Sequence, residues 1–313
     1  MLPDLEPRVN AVVMSRRQRP RGTRRRHGPA LPRRTIPSVS ERITLHAGDA
    51  EAILDPGAGG RIAALRDRGM ELLVTEGWGS VAWGCYPMAP WAGRVRDGIL
   101  RWQGEEHRFP THLVPPHAIH GTLLETAWDV VDAGPASATL AADLGPPWPF
   151  GGRVIHRVAL GATGLRAVLE VHASDRPMPA IVGWHPWFPR VLRGADGTPA
   201  GAPVVVHLDA GGMLLRGSDG LPTGEIVRPI PTEPWDDCFV EVAGAPGVTW
   251  PGALEVRLAS DAPFWVVYTE REEGVCVEPQ TGPPNGLNTG ECAVVEPGVP
   301  LVASMTLGWR RLA

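Results

Sequence analysis

Lysine is absent: all thirty residues in the Lys+Arg count are arginine. We read this as the codon bias of a GC-rich genome rather than a chemical requirement. Cysteine is scarce, with only Cys85, Cys238, Cys276 and Cys292, and no C-x-x-C pair occurs. A chain of 313 residues has no need of disulfide staples. Four reduced, mostly buried thiols in a cytoplasmic protein are therefore expected. No apolar run approaches the ~18 residues of a membrane-spanning helix, so no membrane partner is expected. Neither an H-E-x-x-H zinc motif nor a G-x-S-x-G nucleophile elbow is found. No window of a dozen residues keeps a clean helical period, because glycine or proline interrupts nearly every candidate helix.

Charge is distributed unevenly. Residues 1–40 hold ten arginines against Asp4 and Glu6, a balance of +8 that leaves −12 on the remainder. A nucleic-acid binder places its basic residues on the folded domain, whereas here they lie on a tail and the body is acidic. No nucleic-acid partner is expected. The tail reads as a disordered Arg/Pro-rich extension, or as translation from a start codon upstream of the true one. Arg16 and Arg17 are followed by no apolar region and so make no secretion signal.

The sequence is rich in turn formers, 38 glycines and 34 prolines, spaced so as to punctuate short segments of period-two alternation. In "GLRAVLEVHA", Leu165, Ala167, Leu169 and Val171 face one way and Arg166, Val168, Glu170 and His172 the other. "VIHRVAL" joins this segment through "GATG" as a hairpin. "ILRWQGEEHRF" reads as a second hairpin turning at Gly104. "PVVVHL", "ALEVRLA", "PFWVVYTE", "GVCVEP" and "LVASMTLGW" are further strands. Many short strands at this spacing predict an all-β fold, a large antiparallel β-sandwich, occupying residues 41–313 as one domain. The tryptophans at 78, 83, 91 and 102 read as core.

Polar residues cluster where these strands run into glycine or proline, the places where a rigid β scaffold carries binding groups. "PWAGRVRDG" offers Arg94, "PPHAIHGT" offers His117 and His120, "GWHPWF" offers His185, and "PWDDCF" offers Asp236 and Asp237. "GVCVEPQTGPPNGLN" offers Glu278, Gln280 and Asn288, with Cys276 on the same strand face as Glu278. A metal site on His117, His120, His185 and Glu278 is conceivable, but an H-x-x-H pair off a helix need not converge on one point. A glycosidase would pair two carboxylates, which leaves two histidines idle. One carboxylate, one or two histidines, an arginine and several aromatic faces instead suit a small neutral carbohydrate, the rings against its C–H faces and the polar groups against its hydroxyls. His120 ranks above His117 because only His120 is followed by glycine, where backbone can approach a ligand.

With these motifs in this order, the sequence resembles the aldose 1-epimerase (galactose mutarotase) family over essentially everything after residue 40. "PWAGRVRDGILRWQGEEHRF" is similar to the family's Asn-Arg-Ile segment and following hairpin. "AIHGT" is similar to its His-Gly-Gly segment, "GWHPWF" to its His-Pro-Tyr-Phe segment, and "DDCF" to its Asp-x-x-Phe segment. "VEPQTGPPNGLN" is similar to its Glu-x-Gln…Pro-x-x-x-Asn segment. Departures are Gly93 in place of Asn, Thr122 in place of the second Gly, and Trp187 in place of Tyr. The resemblance implies the galactose mutarotase-like supersandwich and interconversion of the α and β anomers of a free aldohexose such as glucose or galactose. It also implies that neither metal nor nucleotide cofactor is needed. It assigns Glu278 as general base and His185 as general acid, with Arg94, His120, Asp236 and Gln280 on sugar hydroxyls; the family's spacing alone favours Asp236 over Asp237 and Arg94 over Arg96. From ordinary pKa values, Glu278 is expected ionised at pH 7 and His185 about a quarter charged, the two opposed across one pyranose. The runner-up substrate is a hexose 6-phosphate, for which Arg96, Arg190 and Arg193 are candidate phosphate ligands. A non-catalytic carbohydrate-binding protein is the third reading, disfavoured because a binder needs neither acid nor base. A cytoplasmic monomer or homodimer is expected.

Overall fold

The computed structural model describes residues 41–312. The segment 1–40, and the reading given to it above, lie outside the described residues. Among the described residues the only α-helix is the single turn Gly286–Thr289. No helix among them is long and apolar enough to cross a membrane.

The alternation read in the sequence becomes the register of the sheet. Leu165, Ala167, Leu169 and Val171 on strand Gly164–His172 are buried, while the residues between them are partly or fully exposed. This strand pairs on one side with Arg153–Gly161 and on the other with Leu301–Arg311. The ladder continues outward through Ser137–Asp143 to Asp129–Ala133, and inward through Leu254–Ser260 to the C-terminal part of the long strand Asp236–Trp250. The N-terminal part of that same strand opens a second ladder, which runs through Phe264–Tyr268, Gly274–Gln280, Gly183–Pro189, Cys85–Met88 and Arg61–Asp67. Ala50–Asp55 and Ile43–Ala47 complete it. Every pairing between named strands is antiparallel. Leu45, Leu54 and Leu65 of one ladder and Leu140, Val154 and Leu169 of the other share one apolar core. The all-β antiparallel architecture and both hairpins, including Ile99–Trp102 with Glu105–Arg108, are as the sequence predicts.

The two central strands of the second ladder, Gly183–Pro189 and Gly274–Gln280, are buried almost throughout. Because side chains alternate along a strand, Val275 and Val277 face the opposite side from Cys276, Glu278 and Gln280. The latter side carries the site described below.

One core histidine bears on stability. His156 is fully buried; its Nδ1 lies 3.1 Å from the Gly60 carbonyl and its Nε2 accepts from the Trp184 indole at 3.2 Å. Both nitrogens are satisfied in the neutral ring, and burial lowers its pKa from 6.5 to about 4. The folded value lies below the unfolded one. The stabilisation is therefore present above pH 6.5 and lost as pH falls toward 4, by about 3 kcal/mol at one pH unit per 1.36 kcal/mol. Urea midpoints should fall across this window. His156→Gln should flatten the fall, leaving only what other titrating groups contribute; a His156→Gln curve parallel to the parent's would refute this assignment.

Candidate active site

A cavity of about 370 Å³ opens on the Glu278 side of the sheet. Strand alternation brings Glu278 and Gln280 to its floor from Gly274–Gln280. The neighbouring strand contributes His185, which sits opposite Tyr86 in the register. Arg94 and His120 arrive together because Arg94–Val95 pairs with Ala118–Ile119, and the His120 amide donates to the Gly93 carbonyl at 3.0 Å. Asp236 and Asp237 open the strand that links the two ladders. All six residues singled out from the sequence, Glu278, His185, Arg94, His120, Asp236 and Gln280, line this one cavity.

Burial grades the cavity by depth. Gln280, Glu278, His185 and His120 are at most 6% exposed, whereas Trp78 at the rim is 59% exposed. This corrects the reading of Trp78 as core. Of that tryptophan set only Trp91 is fully buried, and Trp83 and Trp102 are half-buried.

His185 Nε2 lies 3.2 Å from Glu278 Oε1. The two side chains expected as acid and base are thus in direct contact rather than opposed across the cavity. Burial pushes the Glu278 carboxyl well above the usual carboxylate range, with the Asp236 charge adding to the rise and the Gln280 amide and Arg94 opposing it. Burial likewise pushes His185 down to about 3, against an interaction with its own backbone and with Arg61 and Arg94 reinforcing the fall. Both shifts run against the ionised Glu278 and the partly charged His185 that ordinary pKa values lead one to expect. A dry site disfavours both charges. His120 is also held well below its ordinary value, by burial first and by the His185 and Arg94 charges after it.

Arg94 donates to Asp236 Oδ2 at 2.9 Å, and Arg216 reaches the same oxygen at 3.2 Å and Asp237 Oδ1 at 3.2 Å. Both aspartates border the cavity, so choosing one from the sequence divided a pair that acts together: Asp236 carries Arg94, and Asp237 anchors Arg216. Arg216, Arg271, Tyr86, Tyr268 and Trp78 also line the cavity and were not selected from the sequence. They lie outside the histidine and carboxylate motifs, and only the folding of distant strands brings them in. Around the floor, His185 Nδ1, His120 Nδ1 and Gln280 Oε1 are buried without a hydrogen-bond partner. Such groups are costly unless a ligand satisfies them.

Other sequence candidates serve the frame instead. His117 accepts from the Asp97 amide at 3.0 Å, and its other nitrogen lies 2.8 Å from the Asp219 carbonyl, so it has none free for a metal. Asn288 ties the Arg101 amide to the Ile99 carbonyl. Arg96 bonds Asp219, Arg190 the Arg271 carbonyl and Arg193 the Gly197 carbonyl; none of the three lines the cavity, which corrects their selection as phosphate ligands. The glycine after His120 has a different purpose from the one expected. A Cβ on Gly121 would lie 1.9 Å from the Ala89 carbonyl oxygen, so it is a backbone, not a ligand, that approaches there. Gly93 has φ +66° and a Cβ there would touch Pro284 at 3.0 Å, leaving little room for the asparagine of the family pattern. The Trp187 indole donates to the Val81 carbonyl at 2.8 Å and thus has no N–H for a sugar. Among the described residues, His185, Cys276 and Glu278 place potential metal-ligating atoms within 4.8 Å of one another. Burial raises the Cys276 thiol well above its ordinary value, so a metal bound there would have to displace the thiol proton.

Comparison with known proteins bears on the family. The chain is 29% identical over 287 residues to the uncharacterized protein YihR of Escherichia coli K12, covering 83% of this chain and 90% of that one. A galactose mutarotase-like protein from Clostridium acetobutylicum superposes with a TM-score of 0.73 at 18% identity, covering 86% of this chain and 95% of that one. A galactose 1-epimerase from Lactobacillus acidophilus NCFM superposes with a TM-score of 0.71 at 16% identity, covering 87% and 95%. At these identities the structural likeness is one of fold. The family model for aldose 1-epimerase matches residues 41–307, nearly all of the described chain, and by that match the protein belongs to the aldose 1-epimerase family.

Proposed function

We propose that the protein is an aldose 1-epimerase acting on a free aldohexose, with Glu278 as base and His185 as acid. The observation that carries this reading is the 3.2 Å contact between His185 Nε2 and Glu278 Oε1 on the floor of a cavity with unpartnered polar atoms. The hydroxyl and ring oxygens that must exchange a proton are both bonded to C1, so two adjacent protein groups reach them from one side. When sugar hydroxyls enter, they hydrogen-bond the carboxylate and favour its ionised form; the proton on Glu278 passes along the existing contact to His185. Glu278 then takes the proton of the C1 hydroxyl while His185 gives one to the ring oxygen. The C1–O5 bond breaks as the C1–O1 bond becomes a carbonyl. The open aldehyde turns about C1–C2, and closure on the other face reverses both transfers. Arg94 and Asp236, already bonded to each other, together with His120 and Gln280, offer donors and acceptors to the remaining hydroxyls. Acid–base groups of this kind contribute roughly 10²–10⁴ each.

A neutral sugar is favoured over a 6-phosphate by the charge around the cavity. Arg94 and Arg216 are bonded to Asp236, Asp237 and Glu270, and Arg271 faces Glu273 at 3.7 Å. No arginine of the wall is left to meet a dianion unaccompanied. Polarimetry with freshly dissolved α-D-glucose or α-D-galactose, repeated with the 6-phosphate, tests the reading: acceleration with the free sugar is expected. Acceleration confined to the phosphate would replace the substrate, and binding without acceleration would leave a carbohydrate-binding protein. Asp236→Asn should raise KM for the sugar about tenfold, because the carboxylate that holds both Arg94 and Arg216 loses its charge; an unchanged KM would remove Asp236 from the sugar site.

A further inference from the structure

The His185 imidazole is held in an unusual way. A working histidine is ordinarily aimed by a hydrogen bond to its second ring nitrogen, but His185 Nδ1 has no partner. The ring is instead flanked by two aromatic residues. Tyr86 stacks on it with centroids 4.8 Å apart and planes at 29°, and Trp187 lies 5.3 Å away at 14°. Both rings are tied to a single atom, the Val81 carbonyl oxygen, which accepts from the Tyr86 hydroxyl at 2.9 Å and from the Trp187 indole at 2.8 Å. Val81 belongs to a turn with no regular secondary structure of its own.

That turn is gripped by Arg61. The guanidinium donates to the Ser80 carbonyl at 2.8 Å, to the Trp83 carbonyl at 3.0 Å and, below them, to the Ala58 carbonyl at 2.7 Å. It lies 3.9 Å from the centroid of the Trp83 ring and 5.3 Å from that of Tyr86. Arg61 is 1% exposed, and it makes no ion pair with a carboxylate among the described residues. A buried cation with no carboxylate in direct contact is expensive, and Asp55 and Glu125 act on this one only from a distance. Three carbonyls and two aromatic rings surround it here; Ser80, Trp83 and Tyr86 belong to the segment that carries Val81, and Ala58 anchors the guanidinium from below. A neutral or apolar residue would fill the space without bridging the two sides of the turn.

We propose that Arg61 is a positioning residue for the acid–base pair: by clamping the carbonyls on either side of Val81, it fixes the single oxygen to which both flanking rings of His185 are anchored. The proposal rests on the mutarotase reading above. Arg61 touches no reacting atom; its effect reaches Nε2 through Val81, Tyr86 and Trp187, and so should appear in the chemical step rather than in sugar affinity.

The test compares Arg61→Lys, Tyr86→Phe and the double variant with the parent by polarimetry on α-D-glucose or α-D-galactose, whichever the parent accelerates, after circular dichroism has confirmed folding. Lysine keeps the charge but cannot bridge the carbonyls as a planar fork does. Arg61→Lys should lose about tenfold or more in kcat with KM within about twofold of the parent. Tyr86→Phe should also lower kcat, and the double variant should fall by less than the product of the two losses, because both act through Val81. A folded Arg61→Lys protein with parental kcat, or losses that multiply fully, overturns the proposal while leaving the mutarotase reading intact. If Arg61→Lys does not fold, Tyr86→Phe and Trp187→Phe decide: a lowered kcat at unchanged KM supports the anchor, and parental kcat in both refutes it. A parent that accelerates neither sugar refutes the function and this inference together.

Discussion

Glu278→Gln is expected to lower the catalysed mutarotation rate by about 10²–10⁴ while sugar binding survives. Glutamine preserves the shape of a side chain that is 2% exposed and can still hydrogen-bond His185 Nε2. What it cannot do is accept the proton of the C1 hydroxyl. Stability should not fall with activity, since the amide needs no proton to remain neutral where the carboxyl does. Isothermal titration with the sugar and a thermal melt, beside polarimetry, separate these effects; a variant that mutarotates at the parental rate removes Glu278 as the base. The pH profile of the parent carries a related signature. With His185 pushed down to about 3 and Glu278 raised, the pair holds its one shared proton from low pH upward. It gains a second only as pH falls toward 3, and loses the first as pH rises through the raised Glu278 value. The kcat/KM of the free enzyme should therefore fall on the alkaline side as pH rises through a Glu278 value held above the ordinary carboxylate range. An alkaline limb that is absent in a His120 variant would assign the titration to another group.

Gly121→Ala is expected to cost on the order of 3–4 kcal/mol and to disturb the site as well as the fold. The residue has φ +84°, where only glycine rests without strain, and an added Cβ would lie 1.9 Å from the Ala89 oxygen and 2.4 Å from its carbon. Neither is the tip of a flexible side chain, so the backbone must separate. The two chains that would part carry His120 on one side and, through the Ala89–Gly121 bridge, the Pro90–Arg94 segment on the other. Urea unfolding should show the lower midpoint, and KM for the sugar should rise as Arg94 and His120 lose their common frame. A variant with parental midpoint would mean that this contact is looser than its geometry. Gly93→Ala provides the contrast: its nearest contact is the Pro284 ring at 3.0 Å, and the same measurements should show a smaller loss.

Several errors of the sequence reading share one cause. The glycine after His120 reads in the sequence as room for a ligand, but what it admits is the backbone of Ala89, thirty-two positions away. Arg96, Arg190 and Arg193 stood beside the right motifs, yet each bonds frame atoms, while Arg216 and Arg271 reach the cavity from segments without a recognisable motif. Trp78 looked like its neighbour Trp91 in composition, but one borders the mouth and the other fills the core. Local pattern reports which residues suit a site or a core; it does not report which neighbour each one meets.

By itself the sequence determined the all-β class, the two hairpins, the shared face of Cys276 and Glu278, and the six polar residues that gather at one cavity. The class, the hairpins and the shared face follow from period-two alternation, a property of neighbouring positions; the choice of the six, Arg94 over Arg96 and Asp236 over Asp237 included, follows from the resemblance to the family. Only the tertiary structure decided the burial that disfavours charge on the pair, its side-by-side geometry, the sharing of Asp236 between Arg94 and Arg216, and the placing of His185 between two rings tied to Val81. Each of these depends on burial and on distances between atoms remote in the chain. Ordinary pKa values assume water around the group, and the folded sheet removes it.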